Sequence, residues 1–274
     1  MFATADGARI ESVRIPLMHS DRFSICVSSQ VGCALACEFC ATGRLGLRRN
    51  LAAWEIVEQV REVRARVPGY ARITGIVFQG MGEPLANLDN VIAAIDVMSA
   101  PYAMAIDSRS MIVSTAGLPA GIRRLAAAAP HVRLAVSIGS ALPAVREQLM
   151  PIARTHSLAE VIAAGVDHAA ATGLSPMWAV TLLRGINDGD EHAHALAALA
   201  TDFRARTGRT PRVSVISYNS IEHAGADPFE RSEPDRVAAF RAVLADAGFR
   251  SSRRYSGGPD VAAACGQLVG QARV

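Results

Sequence analysis

Cys33, Cys37 and Cys40 fall within one short stretch of the 274-residue chain, Cys-Ala-Leu-Ala-Cys-Glu-Phe-Cys. Three thiolates on one loop can each take a separate iron of a 4Fe-4S cubane and leave the fourth iron with an open position, where a substrate or cofactor can be chelated. A zinc site borrowing a fourth ligand, or ordinary buried cysteines, are the alternatives for the same residues. Cys26 precedes this cluster and Cys265 lies near the end of the chain, so the five cysteines form an odd, unevenly spaced set. Such a set fits metal or cluster ligation in a reducing compartment better than a disulfide framework.

A second segment with chemical potential is Gly80-Met-Gly-Glu-Pro84. Glycine lets a backbone approach a ligand closely, and Glu83 offers an anionic acceptor for an ammonium group, although a simple turn would use the same residues. Ser114 and Asn219 could hydrogen-bond a ribose or a carboxylate, or equally a loop backbone. His192 and His194 are two apart on an expected helix and so do not share a face, which makes them structural residues rather than a metal pair.

These residues must be held by something, and the apolar pattern indicates what. Runs rich in β-branched residues near 23–29, 73–79, 111–115, 133–138, 177–183 and 212–218 read as strands. Helical periodicity separates them near 53–67, 87–99, 119–128, 157–172, 190–204 and 233–247. Ser157 and Glu160 have capping-box spacing, and Ser232-Glu233-Pro234 resembles a helix N-terminus. Strands alternating with helices require right-handed crossovers and a parallel sheet, here expected as an α/β partial barrel. Functional residues should then gather at the C-terminal strand ends, where the motifs above fall.

Half of the residues are apolar and 19% are charged, which excludes a disordered chain and leaves one globular domain as the expectation. No apolar run approaches the roughly 20 residues of a membrane span, so a cytoplasmic protein without a membrane partner is expected. A net charge of +3 permits nucleic-acid binding without requiring it. The cations are all arginine. Arg44, Arg48 and Arg49 follow the cysteine cluster, and Arg250, Arg253 and Arg254 precede Cys265.

The CxxxCxxC loop, with Phe39 before its last cysteine, and the GMGEP segment resemble the radical S-adenosyl-L-methionine (SAM) superfamily. The resemblance narrows to the RlmN/Cfr family through Cys26-Val-Ser-Ser-Gln-Val-Gly-Cys33, Ser114-Thr-Ala-Gly117, Leu134-Ala-Val-Ser137, Asn187-Asp188 and Ala263-Ala-Cys265-Gly-Gln-Leu268, which occur in the same order from about Ile10 to Gly270. It implies a partial (β/α)6 radical SAM barrel over 23–274, ending in a methyl-carrier cysteine loop, with residues 1–22 as an N-terminal extension packed on it. It also implies a 4Fe-4S cluster on Cys33, Cys37 and Cys40, and SAM held by Gly82, Glu83, Ser114, Ser137, Ile138, Gly139 and Asn219.

The chemistry implied by the resemblance is methylation of an unactivated carbon, using two SAM molecules per turnover. Cys265 is methylated first. A deoxyadenosyl radical then takes hydrogen from the thiomethyl group, and the resulting carbon radical adds to the acceptor ring. Cys26 resolves the adduct by forming a disulfide, with Glu11 as the proton acceptor. The implied acceptor is carbon 2 or 8 of adenine in ribosomal or transfer RNA, with flavodoxin or ferredoxin as electron donor. A small heteroaromatic or nucleoside-type substrate is the alternative acceptor, and a non-catalytic iron–sulfur electron-transfer protein the alternative of another class. The sequence departs from the family at Ile138-Gly139, where Leu-His is usual, at Ser256-Gly-Gly-Pro-Asp260 and at Ser217-Tyr218. The family's additional N-terminal domain is also expected to be missing from this chain.

Overall fold

The structure is a computed structural model that describes residues 1–17, 21–254 and 263–270. The strands are β1 (Phe2–Ala3), β2 (Arg9–Ile10), β3 (Val13–Pro16), β4 (Arg22–Val27), β5 (Gln30–Gly32), β6 (Leu47–Asn50), β7 (Arg72–Phe78), β8 (Met111–Thr115), β9 (Arg133–Ser137), β10 (Met177–Leu182), β11 (Arg212–Ser217) and β12 (Ser251–Arg254). The α-helices are α1 (Ala41–Arg44), α2 (Ala53–Arg64), α3 (Leu88–Ser99), α4 (Pro119–Ala128), α5 (Pro143–Leu149), α6 (Leu158–Thr172), α7 (Asp190–Thr207) and α8 (Pro234–Asp246).

An 8-stranded sheet runs in the order β12-β11-β10-β9-β8-β7-β4-β3. Every neighbouring pair is parallel except β3–β4, which is antiparallel. Its two end strands do not pair with each other, so the sheet curls into the expected half-barrel rather than a closed one. Each of the six expected strands and helices is present. The sheet gains β12 and β3 at its edges, both only four residues long; β12 is wholly polar and β3 alternates half-buried with exposed positions, so neither has the apolar run that marks a central strand. Two further features were beyond a periodic reading. One is α5, and the other is the ribbon formed by β5 and β6, from which the cysteine loop hangs.

Central strands are buried on both faces because helices cover the outside. Ile76, Val113, Val136, Val180 and Val215 belong to one continuous apolar core with Val91, Leu125, Val161, Phe203 and Phe240 of the helices. Trp178 meets Phe203 edge-on at 5.4 Å between ring centroids. Local signals act as expected: the Ser157 hydroxyl accepts from Glu160 N–H while the Glu160 carboxylate accepts from Ser157 N–H. Pro234 begins α8, with Glu233 at the N-cap position. His192 is buried beside Ser140 at 3.0 Å and His194 is exposed, as residues on different helix faces. Among the described residues no helix is long and apolar enough to cross a membrane.

His168 on α6 is fully buried and its Nε2 has no hydrogen-bond partner. Burial depresses its pKa from 6.5 to about 4. The unfolded chain therefore binds this proton first as pH falls, so stability present above pH 6.5 is lost on the way to pH 4, by on the order of 3 kcal/mol. Thermal melts of the native chain and His168→Leu at pH 7 and 4.5 should show a smaller acid-induced drop for the variant. Equal drops would rule this contribution out.

Candidate active site

A cavity of about 800 Å³ opens at the C-terminal ends of the parallel strands, a volume suited to a cofactor-sized ligand. All five cysteines line it, together with Gly82, Glu83, Ser114, Ser137 and Gly139. Three residues expected at the site, Glu11, Ile138 and Asn219, are not part of its wall. Ile138 is wholly buried with its N–H on the Ala179 carbonyl.

The cysteine loop is shaped by the ribbon beneath it. Cys33 N–H donates to the Gly46 carbonyl at 2.9 Å, closing the loop at its base, and Cys40 N–H donates to the Cys37 carbonyl at 3.1 Å. Burial is the main influence that pushes Cys33 up to about 12 and also raises Cys37 and Cys40; repulsion between neighbouring thiolates adds to it at Cys33 and Cys37, while hydrogen bonds from Gly43 and Thr42 oppose it at Cys40. Three thiols so placed stay protonated until a cation neutralises them, which suits a ligand set awaiting a cluster. Among the described residues no three His, Cys, Asp or Glu side chains converge on a single ion. A cubane instead takes each thiolate on its own iron, and the donor set fits that demand.

The Gly80-Met-Gly-Glu-Pro84 turn presses against the start of the cysteine segment. A side chain at Gly80 would lie 2.7 Å from the Val27 carbonyl group, and one at Gly82, where φ is +99°, would lie 2.5 Å from Gln30 Cβ. Glycine is required at both. Glu83 is held by the turn, accepting from Leu85 N–H at 3.0 Å and from Ala116 N–H at 2.8 Å. Burial pushes its carboxyl up to about 7 against these donors. A carboxylate has more lone-pair sites than these two bonds occupy, so acceptor capacity remains for a cationic ligand group.

The segment carrying Cys265 has no regular secondary structure and is tied down by bonds from elsewhere. Ala41 N–H donates to the Gly266 carbonyl at 2.7 Å, Thr42 Oγ1 to the Leu268 carbonyl at 2.6 Å, and Asn219 Nδ2 to the Cys265 carbonyl at 3.2 Å. Glu11 is buried, at 8% exposure. Its Oε1 accepts from Val269 N–H at 3.0 Å and Gly270 N–H at 2.7 Å, which fastens the chain just beyond Cys265. Asn219 and Glu11 thus act on the segment that bears Cys265 rather than on the cavity itself.

Gln79, which the motif reading did not single out, and Arg254, noted there only as one of the arginines before Cys265, complete the thiol end of the cavity. Gln79 Nε2 reaches the Cys265 sulfur at 3.6 Å, and the Gln79 backbone N–H bonds to Cys26. Arg254 lines the same wall. Burial pushes Cys26 up to about 12, with the adjacent Cys265 adding to it and Arg254 opposing it. Burial likewise raises Cys265, again opposed by Arg254. The available signal was position: Gln79 closes a predicted strand immediately before the glycine turn. Of the other arginines, Arg48 and Arg49 pair with Asp6, and Arg49 also pairs with Glu55, so their charges serve the fold. Residues 256–260, where the sequence departs from the resembled family, lie outside the described residues.

Residues 27–197 match the Radical SAM superfamily model. A probable RNA methyltransferase of Sorangium cellulosum is 59% identical over 98% of this chain and 72% of its own length. The dual-specificity RNA methyltransferase RlmN of Syntrophobacter fumaroxidans is 43% identical over 99% of this chain and 76% of its own. A radical SAM methyltransferase from Sphaerobacter thermophilus superimposes with a TM-score of 0.89 at 37% identity, over 98% of this chain and 76% of that one. The chain belongs to the RlmN family of radical SAM methyltransferases. Membership supplies the 4Fe-4S cluster and SAM that the cavity is suited to hold, and removes the non-catalytic alternative.

In an anaerobically reconstituted protein, Gly82→Ala should weaken SAM binding by about tenfold, because the side chain must adopt a left-handed backbone and displace Gln30. Iron content should stay at the native level. Calorimetry with unchanged affinity would remove the glycine turn from the SAM site.

Proposed function

We propose that this chain methylates an adenine carbon of ribosomal or transfer RNA, at carbon 2 or 8, through a methyl group carried on Cys265. The observation that supports this most directly is the meeting of Cys265, Cys26 and the three-cysteine loop in one cavity, although Cys265 is 225 residues beyond Cys40 in the chain. The relatives named as RNA methyltransferases support the acceptor class. Cys33, Cys37 and Cys40 would hold the cluster, and Gly82, Glu83, Ser114, Ser137 and Gly139 would hold SAM, while Ile138 and Asn219, behind the wall, would position the end of β9 and the Cys265 segment around it. Residues 23–274 form the catalytic core on this reading, and 1–22 an extension packed on it.

Two SAM molecules per turnover, with the cluster reduced by a flavodoxin- or ferredoxin-type donor, supply a methyl group and a hydrogen-abstracting radical. The remaining steps belong to the protein. Cys265 gives up its thiol proton to accept the methyl group and then carries the bridging carbon. Once methylated it can no longer be an anion, so its repulsion of a Cys26 thiolate disappears, while the opposing charge of Arg254 remains. The ring adduct would give up its odd electron to the oxidised cluster on Cys33, Cys37 and Cys40; the Cys26 thiolate then attacks the Cys265 sulfur, the S–S bond forms as the sulfur–carbon bond breaks, and the electron pair stays on the product carbon, which takes up one proton to become the methyl group. Glu11 takes the ring proton. Its bonds to Val269 and Gly270 put the carboxylate on the carrier segment, so movement of that segment would bring base and ring together.

The test is reconstitution with SAM, a reductant and separate pools of RNA and small nucleosides, followed by mass spectrometry of the digested products. Methyladenine should arise only from the RNA pool. Cys265→Ala should abolish it, and Cys26→Ala should leave RNA covalently attached to the protein as a denaturation-resistant band. Product from Cys265→Ala would refute the carrier, and methylation of nucleosides alone would refute RNA as the acceptor.

A further inference from the structure

Arg146 on α5 is 1% exposed, one of the largest wholly buried side chains in the protein. It is not on the wall of the cavity but directly beneath it. Its Nη1 donates to the Ser137 carbonyl at 2.8 Å and to the Ile138 carbonyl, and approaches Met150 Sδ at 3.4 Å. Its Nη2 donates to the Ala116 carbonyl at 2.7 Å, while Nε has no partner. The guanidinium therefore joins the ends of β8 and β9, the two strands that deliver Ser114 and Ser137 to the site. Among the described residues no carboxylate pairs with it; each ion pair of the protein involves other groups.

A buried charge satisfied only by neutral carbonyls is costly, because they orient dipoles toward it without cancelling it. Burial draws Arg146 down to about 10, and the group that opposes this shift is Cys37. The guanidinium is thus charged at neutral pH, and the helix that carries it is bonded to the cysteine loop, where Glu38 N–H, next to Cys37, donates to the Leu149 carbonyl at 3.1 Å. The missing negative charge arrives with the cluster.

We infer that Arg146 is the built-in counter-charge of the iron–sulfur cluster, held beneath the strand ends so that its positive charge favours the electron the cluster takes up. This rests on the placement of the cluster on Cys33, Cys37 and Cys40 argued above. Net charge and hydrogen bonding around a cluster are principal determinants of its potential, and a fixed cation nearby stabilises the more negative, reduced form. Arg146 is on this view an electrostatic partner and touches neither substrate nor SAM.

The test is a potentiometric titration of the reconstituted full chain without SAM, followed by electron paramagnetic resonance. Arg146→Gln keeps donors for the strand-end carbonyls and removes the charge. At a fixed potential it should show about a tenfold lower ratio of reduced to oxidised cluster, equivalent to about 59 mV for a one-electron couple. Arg146→Lys keeps the charge with fewer hydrogen bonds and should restore most of that ratio. A native midpoint in a fully iron-loaded Arg146→Gln protein overturns the inference, as does an Arg146→Lys midpoint displaced as far as that of Arg146→Gln. A native chain that takes up no cluster overturns the ligand assignment itself, which separates the two failures.

Discussion

The site depends on one constraint: a buried segment without regular secondary structure must still satisfy its backbone polar groups. Residues 263–270 have no ladder or helix to do this, so their carbonyls and N–H groups are taken up by Ala41, Thr42, Asn219 and Glu11. His223 and the Gln267 side chain add bonds to the loop after β11. Each partner comes from an element that builds the cavity. The cluster loop, the first strands and the far end of the sheet are consequently locked to the segment that bears Cys265.

That arrangement lets burial control the sulfur chemistry. Every cysteine in the cavity is pushed toward its protonated form, chiefly by removal from water. Thiols in this state resist adventitious oxidation and nucleophilic attack, since both require thiolate. On the proposed reading each would become reactive only when something specific changes its surroundings: metal for Cys33, Cys37 and Cys40, and methylation of its neighbour for Cys26. Charge of the opposite sign is supplied sparingly, by Arg254 at the thiol pair and Arg146 below the strand ends. The acidic counterpart is Glu83, whose raised pKa has the same origin in burial. The low-dielectric cavity thus magnifies each of the few charges within it.

The fold supplies the geometry through its topology. Parallel strands place their C-terminal ends along one rim, so Gln79, Ser114, Ser137 and Arg254 meet although they come from separate βα units. The curl of the open sheet leaves a concave face that encloses the cavity of about 800 Å³. The edge strand β3, antiparallel to β4, brings the N-terminal residues alongside Cys26 and sets Glu11 against the chain's end.

The sequence by itself determined the α/β alternation, the cysteine loop, the glycine turn and the last cysteine, because each of these is a local pattern whose meaning depends on spacing. Helix caps such as Ser157 with Glu160 are readable for the same reason. Only the tertiary structure decided that Glu11 is buried against the segment after Cys265, that Asn219 holds the Cys265 carbonyl, that Ile138 stays out of the cavity wall, and that Gln79 contacts both Cys26 and Cys265. It also decided that Arg146 is an internal charge rather than one more surface arginine. The physical reason is that burial and hydrogen-bond partnership are properties of contacts between distant segments: an arginine on a short amphipathic turn has the same local pattern whether water or a protein core surrounds it.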